Sequence, residues 1–208
     1  MLKVYINNFP VFVKKGTTVL QACSFANVDI PKFCFHEALI TAGNCRICLV
    51  EIERIPKPVA SCAIPVADNI KIFTATPLVK KSRELVLEFL LINHPLDCPI
   101  CDQGGECDLQ NQSLSYGSDF SRFFFKKRNV FNFKANIVIK TVINRCIHCT
   151  RCVRFLKNYA GCKELSMFGR GKKSEIGLFT KSITIKNFLS GNIIDLCPVG
   201  FLTFKKYL

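Results

Sequence analysis

The chain has 208 residues, 49% apolar and 21% charged, which is ordinary for a folded chain with room for one large domain or two to three small ones. Its greasiest run, residues 85–92, is broken by Glu88 and falls far short of the roughly 20 residues a bilayer span needs, so no direct membrane span is expected. Two values stand out, 13 cysteines and a net charge of +14 from 29 basic against 15 acidic side chains.

In chain order, Leu2, Val4 and Ile6 alternate with Lys3, Tyr5 and Asn7, and a second alternating run over 10–14 completes a β-hairpin. No removable targeting leader precedes it, so the protein is expected to work in the compartment where it is made. Thr18 and Gln21 form a capping box, with Val19, Leu20, Cys23 and Ala26 on one helical face. Cys23 therefore reads as core. Strand-like stretches over 46–53, 58–62 and 69–73 complete a small sheet domain over residues 1–76. Thr76-Pro77 starts a helix with a buried stripe of Leu78, Leu85, Val86, Phe89 and Leu90, and His94-Pro95 stops it. A small helical domain then spans 77–117, a Phe- and Lys-rich connector 118–135, and a last small α+β domain 136–208.

An odd cysteine count with no secretory signal points to metal ligation in a reducing compartment rather than to disulfides. The cysteines fall into three sets. Cys34, Cys45, Cys48 and Cys62 have ten, two and thirteen residues between them, with Gly43 in the loop before the close pair. A loop that turns its N–H groups onto sulfurs suits a [2Fe–2S] centre with four thiolates. Structural zinc competes, although zinc ribbons use two close pairs. His94, Cys98, Cys101 and Cys107 are separated by three, two and five residues, compact enough for a [4Fe–4S] cube with one imidazole ligand, against a zinc site of one His and three Cys.

The third set is the sharpest. Cys146, Cys149 and Cys152 repeat every third residue, and Cys197-Pro198 follows after 44 intervening residues, the ferredoxin pattern for one [4Fe–4S] cluster. His148 reads as an exposed neighbour and Cys162 as a small buried residue. One [2Fe–2S] and two [4Fe–4S] clusters would lower the formal charge from +14 to about +9, so part of the basicity screens clusters. No nucleophile–base pair or phosphate loop accompanies them, so no catalytic residue and no independent substrate site are assigned. Fully ligated clusters pass single electrons. Lys and Arg interleaved with aromatics over 120–133 could stack nucleic-acid bases. A connector docked on a neighbouring subunit explains the same residues, and no nucleic-acid partner is expected.

Residues 31–36 (PKFCFH), 42–50 (AGNCRICLV), 57–62 (KPVASC), 94–107 (HPLDCPICDQGGEC), 151–155 (RCVRF) and 190–200 (SGNIIDLCPVG) together resemble the large iron–sulfur subunit of respiratory complex I. The resemblance runs in order along essentially the whole chain. It implies an α+β protein in which a β-grasp plant-type ferredoxin domain precedes a small helical [4Fe–4S] domain with one-His, three-Cys ligation. A small α+β [4Fe–4S] ferredoxin-like domain follows. It further implies that the chain serves NADH:ubiquinone oxidoreductase, receiving electrons from the flavin-bearing NADH-oxidising subunit and passing them toward the quinone-side iron–sulfur subunits.

Relatives continue past the position of Leu208 into a molybdopterin-oxidoreductase-like domain, here expected as a separately encoded partner or as lost. Phe201 and Phe204-Lys205-Lys206 replace smaller, less basic residues of the family. Related segments occur in NAD-linked hydrogenases and formate dehydrogenases, and hydrogenase versions commonly carry a second Cys triplet in the last domain, absent here. Richness in Lys, Ile, Phe and Asn, with 19 Phe and no Trp, suggests an AT-rich organellar genome. The expected place is the matrix side of the mitochondrial inner membrane, with the bacterial cytoplasmic membrane face as the alternative.

Overall fold

A computed structural model describes residues 1–179 and 184–205; Lys206 and the end of the last domain lie outside them. Strands β1 (Leu2–Ile6) and β2 (Phe9–Val13) form the hairpin, turning through Asn7 and Asn8, both at positive φ. Asn tolerates that backbone better than most residues, which makes it a hairpin turn residue. Helix α1 (Val19–Phe25) crosses next, and its capping box is present on both sides, Thr18 with Gln21. Strands β3 (Leu49–Ile52), β4 (Val59–Ala60) and β5 (Lys71–Phe73) complete a sheet in the order β2-β1-β5-β3-β4. The β1–β5 pair is parallel and the others antiparallel, the mixed order of a β-grasp. β3 starts at Leu49 rather than at 46, because Arg46 takes a left-handed φ of 61° inside the loop that carries two cysteines.

Helix α2 (Pro77–Asn93) begins where Thr76 caps the Val79 N–H, with Pro at the first position, and ends at His94 in extended backbone. Its buried face differs from the expected stripe. Val79, Arg83 and Leu87 are buried and Val86 and Leu90 pack partly, whereas Leu78, Leu85 and Phe89 face outward, Phe89 74% exposed. The reason is Arg83. Its Nε and Nη2 donate to the Leu49 carbonyl at 3.2 and 2.9 Å, which seats the helix on β3 and rotates the aliphatic residues by about one position.

A single 3-10 turn over Cys98–Ile100 and helix α3 (Asp108–Tyr116) complete the middle region. The connector wraps the chain's own surface. Arg122 pairs with Glu88 at 2.7 Å, Lys127 donates to the carbonyls of Leu91 and Ile92 at the end of α2, and Arg128 reaches Glu175 at 2.6 Å. The last region holds β6 (Ile139–Thr141), α4 (Arg151–Asn158), β7 (Leu165–Phe168), β8 (Glu175–Leu178), α5 (Asn192–Leu196) and β9 (Leu202–Phe204). β6 pairs antiparallel with β9, and β7 with β8.

Two interiors result. One lies between the five-stranded sheet and α1, with Val4, Ile6, Val19, Val50 and Ile72, and contains Cys23, whose thiol burial pushes up to about 11. The other joins all three regions, packing Phe33, Cys34 and Ile47 against Leu87, Leu109, Leu156, Ile193 and Leu202. The ligand loop of the sheet domain is thus buried against the last region. Phe33→Ala is expected to cost about 3–5 kcal/mol in urea unfolding of the full chain, and Thr76→Ala about 1 kcal/mol. Alanine at exposed Phe12 is expected to stay within about 0.5 kcal/mol.

Candidate metal centres

The first set converges at the edge of the sheet domain. Gly43 and Arg46, both left-handed, curl the loop so that N–H groups face sulfur, and the Cys34 N–H donates to Cys45 Sγ at 3.4 Å. Cys34 is hydrogen-bonded to the thiols of Cys45 and Cys62, and Cys48 to that of Cys62. These bonds hold Cys34 and Cys48 below the usual thiol range and push Cys45 and Cys62 above it. Two thiolates kept by two neighbouring protons form a site that all four could ionise around only with a cationic core. Ser61, buried beside Cys62, anchors the Cys48 carbonyl with its hydroxyl at 2.7 Å.

The second set occupies the junction of α2 and α3. His94 caps α2, Cys98 opens the 3-10 turn and Cys101 closes it, and Cys107 precedes α3, where the N–H groups of Leu109 and Gln110 approach its sulfur. All four line a cavity of about 310 Å³. A Cβ on Gly104 would sit 3.0 Å from the Cys98 carbonyl oxygen, and one on Gly200 would meet Cys101 Sγ, so a side chain at either position would press on the ligand loop. Burial foremost, then the Lys127 charge, lowers the His94 imidazole to about 4, keeping it neutral with a nitrogen lone pair free for metal.

The third set surrounds the start of α4. Left-handed backbone at His148 (56°) and Thr150 (60°) folds the triplet into a tight loop, and the His148 N–H donates to Cys146 Sγ at 3.4 Å. Burial first, then mutual repulsion, raises the thiols of Cys146, Cys152 and Cys197, and burial raises that of Cys149. Four buried thiols in electrostatic reach of one another favour protonation, which the charges of Arg128, Arg151 and Arg154 offset only in part; a cluster would reverse this, since coordinated thiols deprotonate. Among the described residues no three His, Cys, Asp or Glu groups gather as the shell of a single metal ion. The donors are soft thiols and a neutral imidazole, a set that fits iron–sulfur ligation. His148 is half-buried rather than exposed, its imidazole lowered by burial. Cys162 is half-buried as well, pushed up to about 11 by desolvation and by Glu164.

Side chains the sequence reading passed over tie the sets together. Arg154 donates to the carbonyls of Cys34 and Cys149 and, at 2.6 Å, of Ile40. Arg151 spans the carbonyls of Phe35 at 2.9 Å and Leu196 at 3.4 Å, while Asn44 reaches the His148 carbonyl at 3.0 Å. On the other side Arg145 pairs with Asp97 at 3.0 Å, and the Asp108 N–H bonds the Pro198 carbonyl at 3.1 Å. The third set therefore stands between the first and the second. The signal for this was arginine interleaved with the cysteine triplet at 145, 151 and 154.

Sequence models of three families match the chain. The 2Fe-2S iron–sulfur cluster binding domain covers residues 1–77, the NADH-ubiquinone oxidoreductase-G iron–sulfur binding region 83–122, and the ferredoxin-like domain of NADH-quinone oxidoreductase subunit 3 covers 136–203. All of the chain aligns with the 75 kDa subunit of NADH-ubiquinone oxidoreductase of Reclinomonas americana at 59% identity, over 30% of that protein. The chain resembles the N-terminal part of the complex I large iron–sulfur subunit. Iron–sulfur protein 1 of NADH dehydrogenase, mitochondrial, of Solanum tuberosum is 56% identical over 28% of its length, and a subunit of the NADH-quinone oxidoreductase of Rickettsia bellii 52% over 30%. The chain spans less than a third of the curated relatives it matches. A crystal structure of NAD+-reducing [NiFe]-hydrogenase has a chain that superposes with a TM-score of 0.82 at 26% identity, over 99% of this chain and 88% of that one. The matches to [2Fe–2S] and [4Fe–4S] binding domains fall on a mixed α and β framework, and no helix of the described residues is long and apolar enough to cross a membrane.

The depressed His94 value carries a pH dependence for the cluster-free chain. Between about 4 and the ordinary histidine value near 6.5 the unfolded state binds the extra proton, so stability rises with pH across that window. The stability is complete above about 6.5 and is lost as pH falls toward 4. Urea unfolding of the cluster-free chain at stepped pH is expected to show this loss, and His94→Gln is expected to flatten it.

Proposed function

We propose that this chain is an electron-transfer subunit of the peripheral arm of NADH:ubiquinone oxidoreductase. In this reading Cys34, Cys45, Cys48 and Cys62 hold one [2Fe–2S] cluster. His94, Cys98, Cys101 and Cys107 hold a [4Fe–4S] cluster, and Cys146, Cys149, Cys152 and Cys197 hold a second. When bound, the clusters supply one-electron transfer without an open iron for substrate. The observation that carries the reading is the shared interior, in which the third ligand loop is clamped by Arg151 and Arg154 to the first and by Arg145 to the second.

The chain's own residues do three things here. They bury most of the thiols of the first and third sets, aim backbone N–H groups at sulfur, and fix the spacing of the sets through side chains that cross from one region to the next. The domain limits of the reading are 1–76, 77–117, 118–135 and 136–208. The partners are the flavin-bearing NADH-oxidising subunit on one side and the quinone-side iron–sulfur subunits on the other. The place is the matrix face of the mitochondrial inner membrane, peripheral and held through the assembly. The likeness in fold to a chain of the NAD+-reducing hydrogenase supports a second reading, a diaphorase of a hydrogenase or formate dehydrogenase.

Anaerobically purified chain is expected to carry about ten iron and ten acid-labile sulfide, and Cys98→Ser to lose about four of each; stoichiometric zinc without sulfide overturns the assignment. On a native gel stained for NADH dehydrogenase activity, the chain is expected to co-migrate with a very large assembly extracted by mild detergent. Recovery in a small soluble NADH-active or hydrogen-active complex would move the assignment to the second reading.

A further inference from the structure

The cavity beside His94 has two buried polar groups on its wall to which the protein gives no partner. Arg145 is 5% exposed, and its Nε is held by Asp97 Oδ2 at 3.0 Å, yet its Nη1 is buried without a hydrogen bond. Ser113, on α3, has a buried Oγ that is likewise unbonded. Both residues line the same cavity of about 310 Å³ as His94, Cys98, Cys101 and Cys107. A buried donor left unsatisfied costs about 1–3 kcal/mol, more when charged, and native interiors rarely keep one without reason. Two of them on one cavity wall point to an acceptor that the protein does not itself supply.

The orientation of Arg145 is built. It ends the 3-10 turn before Cys146, so its backbone belongs to the third ligand loop, but Asp97 draws the guanidinium across to the second set. Its stem packs against Gly200, whose missing side chain leaves room for both Arg145 and Cys101 Sγ. The charge is felt there, since Arg145 adds to the lowering of the His94 imidazole after burial and Lys127.

We propose that Arg145, through Nη1, and Ser113, through Oγ, donate hydrogen bonds to sulfur of the group held by His94, Cys98, Cys101 and Cys107, and raise its reduction potential. The inference rests on the ligand assignment proposed above for that set. Gain of an electron makes the group more negative, so a cationic donor stabilises the reduced state more than the oxidised one. The imidazole acts in the same direction, because it replaces a thiolate charge by a neutral ligand. Arg145 and Ser113 are positioning and tuning residues and carry no electron themselves.

The test is a redox titration of the full chain loaded with its clusters, each [4Fe–4S] centre being followed by its own paramagnetic signal. Arg145→Gln is expected to shift the reduction equilibrium of the His-ligated centre toward the oxidised form about tenfold, which is 59 mV for one electron. The all-cysteine [4Fe–4S] centre is expected to move less than about twofold. Arg145→Lys restores part of the shift, and Ser113→Ala moves the same centre in the same direction about two- to threefold. Ser113→Ala removes one oxygen and decides the matter alone if Arg145→Gln fails to fold. Unchanged midpoints in variants that retain their iron overturn the proposal, as does a shift confined to the all-cysteine centre. Wild-type chain lacking the His-ligated signal overturns the ligand assignment itself, and the inference with it.

Discussion

Everything in this molecule turns on the cost of gathering thiol groups in a dry interior. Eleven of the 13 cysteines sit in three knots, and the thiols of the third knot are pushed up by burial and by one another. Ionising them together would pack negative charge so closely that it needs compensation from N–H groups, from guanidinium groups and from a cationic core. The loops answer locally. Left-handed Gly43, Arg46, His148 and Thr150 bend the chain so that successive N–H groups face sulfur, a conformation that costs non-glycine residues strain and persists where the surroundings hold it.

Compensation over longer range comes from three arginines around one short loop. Arg151 and Arg154 lie three apart at the start of α4 and therefore on one face, from which both reach carbonyls of the Cys34 loop. Arg145 points the other way, to Asp97. The guanidinium groups of Arg151 and Arg154 each span two elements because the fork presents several donors in fixed geometry, which a lysine cannot match. The same contacts that offset charge thus set the distances between ligand sets, so stability and the spacing of the sets depend on the same residues.

Local signals in the chain were reliable wherever one short stretch decides its own conformation. The capping box at Thr18, the Thr76-Pro77 start and the His94-Pro95 stop all stand as read, since capping is settled within four residues. The stripe on α2 did not, because Arg83 is a polar residue at the centre of a buried face and only its bond to the Leu49 carbonyl makes that burial tolerable. His148 and Cys162 went astray for a related reason. Their half-burial depends on packing by residues far away in sequence, among them Arg128 for His148, whose charge acts on the imidazole.

Residue order alone is enough to say which side chains are candidate ligands, how they fall into sets and what family the chain resembles, because ligand type and spacing are written in consecutive residues. The order of the sets in space came from packing. Cys62 and His94 are neighbouring ligands along the chain, yet the first set packs on the third, and the third on the second. Bonds from Arg154 to Cys34, 120 residues apart, leave no periodic trace in the sequence. They exist because the apolar surface of Phe33 and Ile47 is buried in the interior shared with the last region, and that burial carries the ligand loop with it.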